Sequence, residues 1–235
     1  MNIIEATNIS KNYGRVAALK NFSLSIEKGE CFALLGKNGA GKTTFVKSLL
    51  GLVNFSSGDL KLLGKNVGDK TSREKVSYLP EKFSFYPYYT LAGVCEFYGK
   101  LKGVPHHLVK EQVGQAMERL GISDLMDKKV KECSKGQLQR TGLAATLIGD
   151  TELFILDEPY SGLDPIGIKE LQVLLSELAA SGKTIFINSH GLDSVEKVCK
   201  NIAILDKGEL VVQGEMRSLL GEKNLLDFFY EKVGK

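Results

Sequence analysis

No run of apolar residues in this 235-residue chain approaches the roughly 18–20 needed to cross a bilayer. That excludes a channel or carrier built from helical spans. Tryptophan is absent, and histidine occurs only as His106, His107 and His190. The four cysteines, Cys31, Cys95, Cys133 and Cys199, never stand in CxxC spacing, and the histidines complete no zinc pattern, so no structural metal is expected. Scattered cysteines in a chain this size read as reduced thiols, which points to the cytosol. An excess of one charge is also lacking. Lys and Arg number 31 against 28 Asp and Glu, a formal +3, which argues against a dedicated nucleic-acid binder. The opening MNIIEATNISKNYG has neither the charged start nor the apolar core of a signal peptide, so no targeting segment is expected. Low-complexity tracts and internal repeats are missing too.

What is present is the mix of an ordinary globular protein: 43% hydrophobic and 25% charged residues. A chain this long buries roughly 70–75% of its unfolded surface without staples. Period-two patterning predicts strands over residues 3–9, 22–26, 30–35, 58–63 and 75–79. Between about 83 and 150 helical spacing takes over, in 91–101, 108–120 and 138–148. The rest alternates: strand 153–157, helix 166–180, strand 184–189, helix 192–199, strands 202–206 and 209–213, then a helical tail over about 215–235. Strands alternating with helices imply a mainly parallel sheet with covered faces and an inserted helical subdomain. No linker divides the chain, so 1–235 is expected to be a single domain.

Two constellations carry chemistry. Gly36-Lys37-Asn38-Gly39-Ala40-Gly41-Lys42-Thr43 fits G-x-x-x-x-G-K-[ST], followed by Thr44, between an apolar strand and a helix. Glycines let the backbone wrap phosphate oxygens, and the helix N-terminus favours the anion. Lys42 would meet the β- and γ-phosphates and Thr43 would ligate Mg²⁺. The second is Leu153-Phe154-Ile155-Leu156-Asp157-Glu158, an apolar strand ending in two carboxylates. Open parallel sheets bind ligands at that edge. Asp157 would hold Mg²⁺, and Glu158 would act as general base on a water. The bland alternative is a polar strand end capping the next helix. G-x-G-x-x-G is absent, which disfavours a dinucleotide.

Further segments, in order, carry a family likeness. Cys133-Ser134-Lys135-Gly136-Gln137 precedes LQRTGLA, Glu158-Pro159 precedes Ser161-Gly162-Leu163-Asp164, and Asn188-Ser189-His190 ends a strand. Lys11-Asn12-Tyr13-Gly14 lies near the start. With these, the whole chain resembles the nucleotide-binding domain of ATP-binding cassette (ABC) transporters, most like single-cassette subunits of bacterial export systems. The resemblance implies the ABC ATPase fold: a P-loop NTPase core with a mainly parallel sheet, an N-terminal antiparallel β subdomain and an inserted α-helical subdomain. It implies two such domains, as a homodimer or heterodimer, facing head to tail around two ATP molecules with Mg²⁺. One subunit would give the P-loop, Asp157, Glu158 and the switch His190, and the other Ser134, Gly136 and Gln137. Asp164 would belong to the D-loop, and Tyr13 would stack on adenine unless it is a surface turn aromatic.

Two positions depart from the family pattern. After Tyr78-Leu79-Pro80 stands Glu81, where the family usually has Gln. Glutamate keeps the ability to order Mg²⁺ or water but adds negative charge beside a triphosphate. Cys133 replaces the usual Leu and Lys135 a Gly, and Lys135 either lends positive charge to a partner's nucleotide or faces solvent.

Phe83, Phe85, Tyr86, Tyr88, Tyr89, Phe97 and Tyr98 crowd seven aromatics into 16 positions. Aromatics are enriched at interfaces. The resemblance makes this patch a docking groove for a separate transmembrane permease, which would hold the subunit at the cytoplasmic face of the membrane; the other reading is a local core. Beside the transport reading stands a soluble ABC ATPase acting as an assembly factor. A regulatory module with little turnover is disfavoured by Glu158.

Overall fold

The structure, a computed structural model, describes residues 1–234. Lys235, the last residue of the expected tail, lies outside them. The first two strands, β1 (Asn2–Tyr13) and β2 (Val16–Glu27), form a hairpin about Gly14, whose φ of 57° suits glycine. Both run longer than the patterning predicts. Register shifts along their pairing break the alternation of buried and exposed residues, so period two fades beyond Ile9 and before Phe22. Tyr13 therefore ends a strand, paired with Val16, rather than occupying the turn.

β3 (Cys31–Leu35) leads through the glycine-rich loop into α1 (Lys42–Leu49). β4 (Ser57–Leu62), the two-residue β5 (Lys65–Asn66) and β6 (Val76–Leu79) follow. The helical insertion comprises α2 (Leu91–Leu101), α3 (His106–Arg119) and α4 (Lys135–Leu147); residues 83–90 before it are irregular. Next come β7 (Leu153–Asp157), α5 (Pro165–Ala180), β8 (Thr184–Ser189) and α6 (Leu192–Glu196), which stops three residues before its expected end at 199. β9 (Asn201–Asp206), β10 (Glu209–Glu215), α7 (Met216–Leu220) and α8 (Leu225–Val233) complete the order.

Two sheets result. An antiparallel one has the order β2-β1-β4-β5. A six-stranded one has the order β10-β9-β3-β8-β7-β6 and is parallel except where β10 pairs with β9. β3 shows why both of its faces are apolar. Cys31, Ala33 and Leu35 join the core under the helices, while Phe32 and Leu34 join the core shared with the antiparallel sheet and α1. Phe45 of α1 sits between Phe22 and Phe186, its ring centroid 4.8 and 6.1 Å from theirs. Such pairs prefer tilted or edge-on geometry.

One partly buried amine fastens the helical insertion to the sheet. Lys102 Nζ donates to Ser77 Oγ at 2.7 Å and to the carbonyls of Ala145, Thr146 and Ile148 at 3.2, 3.0 and 2.8 Å. A cation at a helix C-terminus satisfies carbonyls that the helix leaves unpaired. Burial lowers the Lys102 amine to about 8.

Candidate functional site

The parallel sheet delivers the chemistry to one edge. β8 lies between β3 and β7, with Ser189 opposite Leu35 and Asn188 opposite Asp157. The residues at and just past these three strand ends are therefore neighbours: Gly36 onward, Asp157-Glu158 and Ser189-His190. β6 adds Glu81 beyond Leu79, which pairs with Leu156.

The phosphate loop is glycine-rich for steric reasons. A Cβ on Gly36 would lie 2.3 Å from the Leu205 carbonyl oxygen, and one on Gly41 (φ 113°) 2.4 Å from that of Ala18. Gly39 has room around it but a φ of 82°. Ala40 N–H donates to Lys37 O, Gly208 N–H donates to Ala40 O, and Asn38 is exposed. Gly41 caps α1 without a side chain, and the first turn holds no acidic residue. Thr43 is exposed and Thr44 half-buried beside its first N–H groups, which have no partner within the helix; such helix starts suit anions. Lys42 is buried and donates to Gly36 O at 2.7 Å and Lys37 O at 3.2 Å. Burial pulls its amine below the ordinary lysine range, while Glu158, Asp157 and Glu81 act in opposition. The Lys37 amine donates to the carbonyl of Val233, at the end of α8.

Asp157 is 2% exposed and accepts a hydrogen bond from the Asn188 amide. Burial raises its carboxyl to about 6; the Asn188 hydrogen bond opposes this, and Glu158 and Glu81 reinforce it. Glu158 has a φ of 49°, a strained value for a non-glycine residue, and its N–H donates to Asn188 O at 2.8 Å. Its carboxylate is held at both oxygens. Oε1 accepts from His190 N–H at 2.9 Å and from His190 Nδ1 at 2.6 Å, and Oε2 accepts from Ser189 Oγ at 2.9 Å. A carboxylate accepts, so Nδ1 carries the proton and the exposed Nε2 edge is left for another partner.

A second cluster forms around the start of α4. Ser134 Oγ accepts from Gln137 N–H at 3.3 Å while Gln137 Oε1 accepts from Ser134 N–H at 3.1 Å, a reciprocal capping box. Lys128 Nζ also donates to Gln137 Oε1, at 3.0 Å. Gly136 is needed because a Cβ there would lie 2.8 Å from Gly162 O. Lys135 is exposed, yet its amine donates to Ser161 Oγ at 3.1 Å, so it binds the loop after Glu158 rather than only solvent. Asp164 is engaged as the N-cap of α5, accepting from Gly167 N–H at 2.8 Å. Among the described residues none of these contacts is with the phosphate loop.

The sequence-predicted residues thus fall into two groups. The P-loop, Glu81, Asp157, Glu158 and His190 converge on one edge, whereas Ser134, Gly136, Gln137 and Asp164 gather elsewhere. Tyr13 stands apart, half-exposed on the hairpin, with Lys11 Nζ 4.8 Å from its ring centroid. Asn188 and Ser189 were missed as working side chains. Their signal was position, the polar end of an apolar strand beside the carboxylate pair.

Comparison with known proteins gives concordant findings. Residues 19–161 match the family described as ABC transporter. A Nostoc protein, an uncharacterized ABC transporter ATP-binding protein, is 44% identical over 89% of this chain and 63% of its own length. The bacitracin transport ATP-binding protein BcrA of Enterococcus faecalis is 37% identical over 92% of the chain and 70% of its own. The chain therefore spans just under two thirds of the Nostoc relative. A solved ATP-binding subunit of an ABC transporter superposes with a TM-score of 0.90 at 26% identity, covering 98% of this chain and 99% of that one.

Proposed function

The chain belongs to the ABC transporter family, and from that premise we propose that it is the ATP-hydrolysing subunit of a multi-component exporter, powering a separate membrane permease. The observation that carries this reading is the Glu158 carboxylate, strained into place and held at both oxygens beside a phosphate-binding loop. ATP binding follows from the family; its phosphates would lie on the N–H groups of residues 39–44 with Lys42 reaching them. For Lys42 this means exchanging two backbone carbonyls for phosphate oxygens. Tyr13 would supply the adenine platform, and Lys11 would have to yield one ring face.

The donor set fits Mg²⁺. Thr43 offers a hydroxyl, Asp157 and Glu81 offer carboxylates, and the buried Asn188 Oδ1 has no hydrogen-bond partner among the described residues. Hard cations take such oxygen ligands. When bound, the ion supplies neutralising charge for the phosphates. Glu158 would orient a water and accept its proton, and His190 and Ser189 would fix which way that carboxylate points. Each side chain's task is positional, since phosphoryl transfer needs alignment and charge stabilisation above all.

Ser134, Gly136 and Gln137 present a pre-capped helix N-terminus away from their own phosphate loop, which supports use of this surface in trans, on the nucleotide of a second copy in a head-to-tail dimer. The aromatic segment splits in two. Phe83 and Phe85 pack half-buried against the core, which fits the local-core alternative, while Tyr86, Tyr88, Tyr89, Phe97 and Tyr98 are exposed. The exposed rings are continuous, with centroids 5.4–6.5 Å apart along Tyr88, Tyr86, Tyr89, Phe97 and Tyr98. That patch is the proposed seat of a permease helix, and it would place the subunit at the cytoplasmic membrane surface. No described helix is long and apolar enough to cross a membrane itself. Purification of tagged Glu158→Gln protein in mild detergent with ATP and Mg²⁺ tests the reading. A membrane protein recovered near equal stoichiometry is expected; soluble partners alone would favour the assembly-factor role.

A further inference from the structure

Cys31 and Cys199 take no part in the chemistry above, yet their sulfurs lie 3.3 Å apart, 168 residues distant in sequence and both buried. The fold brings them together through the sheet. Cys31 opens β3, Phe32 pairs with Asn201 at the start of β9, and the Lys200 N–H donates to Cys31 O at 3.2 Å. The two backbones thus run side by side. Cys199 lies two residues before β9, next to the Lys200 whose N–H reaches Cys31 O, and the two side chains bring their sulfurs within 3.3 Å, close to the approach a disulfide requires. Cys95, by contrast, is buried with only the Thr141 carbonyl near its sulfur, and Cys133 is partly exposed beside Lys129 O.

A third polar group attends the pair. The Tyr160 hydroxyl is buried without a hydrogen-bond partner among the described residues and lies close enough to both sulfurs for their charge to bear on it. Tyr160 stands two residues after Glu158, in the loop whose Ser161 is held by Lys135. Cys199 ends the short segment that begins at the switch position His190 and includes α6. Cys199 therefore lies on the segment that carries His190, and Tyr160 of the loop after Glu158 stands near the pair.

The geometry points to Cys31 and Cys199 as a redox modification site: a buried dithiol that hydrogen peroxide closes to a disulfide, tying the His190–Cys199 segment to β3. One sulfur attacks the peroxide oxygen, forming S–O as O–O breaks and water leaves, which gives a sulfenic acid. The second sulfur attacks the first, S–S forms, S–O breaks, and a second water leaves. Hydrogen peroxide is reduced and both thiols are oxidised. Burial holds the Cys199 thiol well above its ordinary pKa, so the closed protein resists bulky disulfides and the reaction is paced by local opening around α6. The consequence for turnover rests on the proposed ATPase reading; the covalent event does not.

The test treats the folded protein with hydrogen peroxide, alkylates remaining thiols after unfolding, and maps tryptic peptides. Residues 29–37 joined to residues 198–200, released by dithiothreitol, are the expected product. Treated protein should melt about 5–10 °C higher, as closing so long a loop implies, and hydrolyse ATP several-fold more slowly until reduced. Cys199→Ser, checked for folding by its own melting curve, should lose these responses while Cys133→Ser keeps them. Finding both peptides fully alkylated when Cys133 is already oxidised overturns the site. A disulfide that forms without slowing hydrolysis overturns its coupling to catalysis.

Discussion

The two halves of the candidate site are built on opposite plans. At the strand edge three ionisable groups are answered from within the chain: Lys42 by two carbonyls, Asp157 by Asn188, Glu158 by His190 and Ser189. At the start of α4 the groups are also satisfied, but locally and in the open, with Ser134 exposed and the capping box closed on itself. The edge resembles a machine at rest, its lysine and base parked on protein partners. The α4 start resembles a template waiting for an anion from outside. On the proposed reading, one chain holds the chemistry of one site and the cover of another, which would account for the two groups lying apart.

The contrast can be broken in four ways, from the largest effect down. Glu158→Gln keeps the shape of the side chain but removes the proton acceptor. Hydrolysis should fall about 10²–10⁴-fold with ATP affinity retained, measured by phosphate release and calorimetry. Hydrolysis within a few-fold of wild type would remove Glu158 from the role of base. Lys42→Ala acts earlier, on binding. Loss of a charge-assisted contact of about 1.5–3 kcal/mol should weaken ATP roughly 10–100-fold in calorimetry.

The third concerns the cost of the resting edge. The Asp157 carboxyl sits at about 6 when folded against an ordinary 3.8. Between those values the folded state binds a proton that the unfolded state has released, so stability falls as pH rises through the window. Asp157→Asn should remove a penalty of up to about 3 kcal/mol at pH 7. Its melting temperature should exceed wild type by several degrees there, and the gap should close below pH 3.8. An unchanged gap from pH 7 to 3.5 would show that Asp157 is not the titrating group. The smallest effect belongs to the surface. Tyr86→Ser with Tyr88→Ser should change stability by under about 0.5 kcal/mol each, as exposed positions do, while membrane-partner recovery in the affinity purification is lost. Unchanged recovery would return the patch to a purely structural role.

Much of the strand edge was legible because its chemistry is local in sequence. The phosphate loop occupies eight consecutive residues, and Asp157-Glu158 ends a strand whose apolar run marks it as buried. Five-residue strands such as β3 and β7 were found at or within a residue of their ends for the same reason. The hairpin was underestimated because its register shifts hide the period from Lys11 to Leu19. α6 was overestimated because an apolar Val198 and Cys199 continue helical spacing into a turn that the sheet requires. The pairing of Cys31 with Cys199, the grip of Lys37 on Val233 and that of Lys135 on Ser161 depend on contacts between distant segments. No window of sequence contains both partners, and the long lysine side chains reach equally well in many directions.

The central claim is that the chain supplies the catalytic edge of one site and the cover of another. ATP hydrolysis by an equimolar mixture of Lys42→Ala and Ser134→Arg proteins tests it most directly, read against each alone and against wild type. Ser134→Arg loses a helix cap, a cost of about 1 kcal/mol that leaves the fold intact, and fills the surface meant for the partner's nucleotide. Each variant alone should be inactive. Random pairing should restore roughly a quarter of the wild-type sites, since half the dimers are mixed and each mixed dimer has one intact site. Wild-type activity from Ser134→Arg alone, or no recovery in the mixture where wild type is active, would contradict the account.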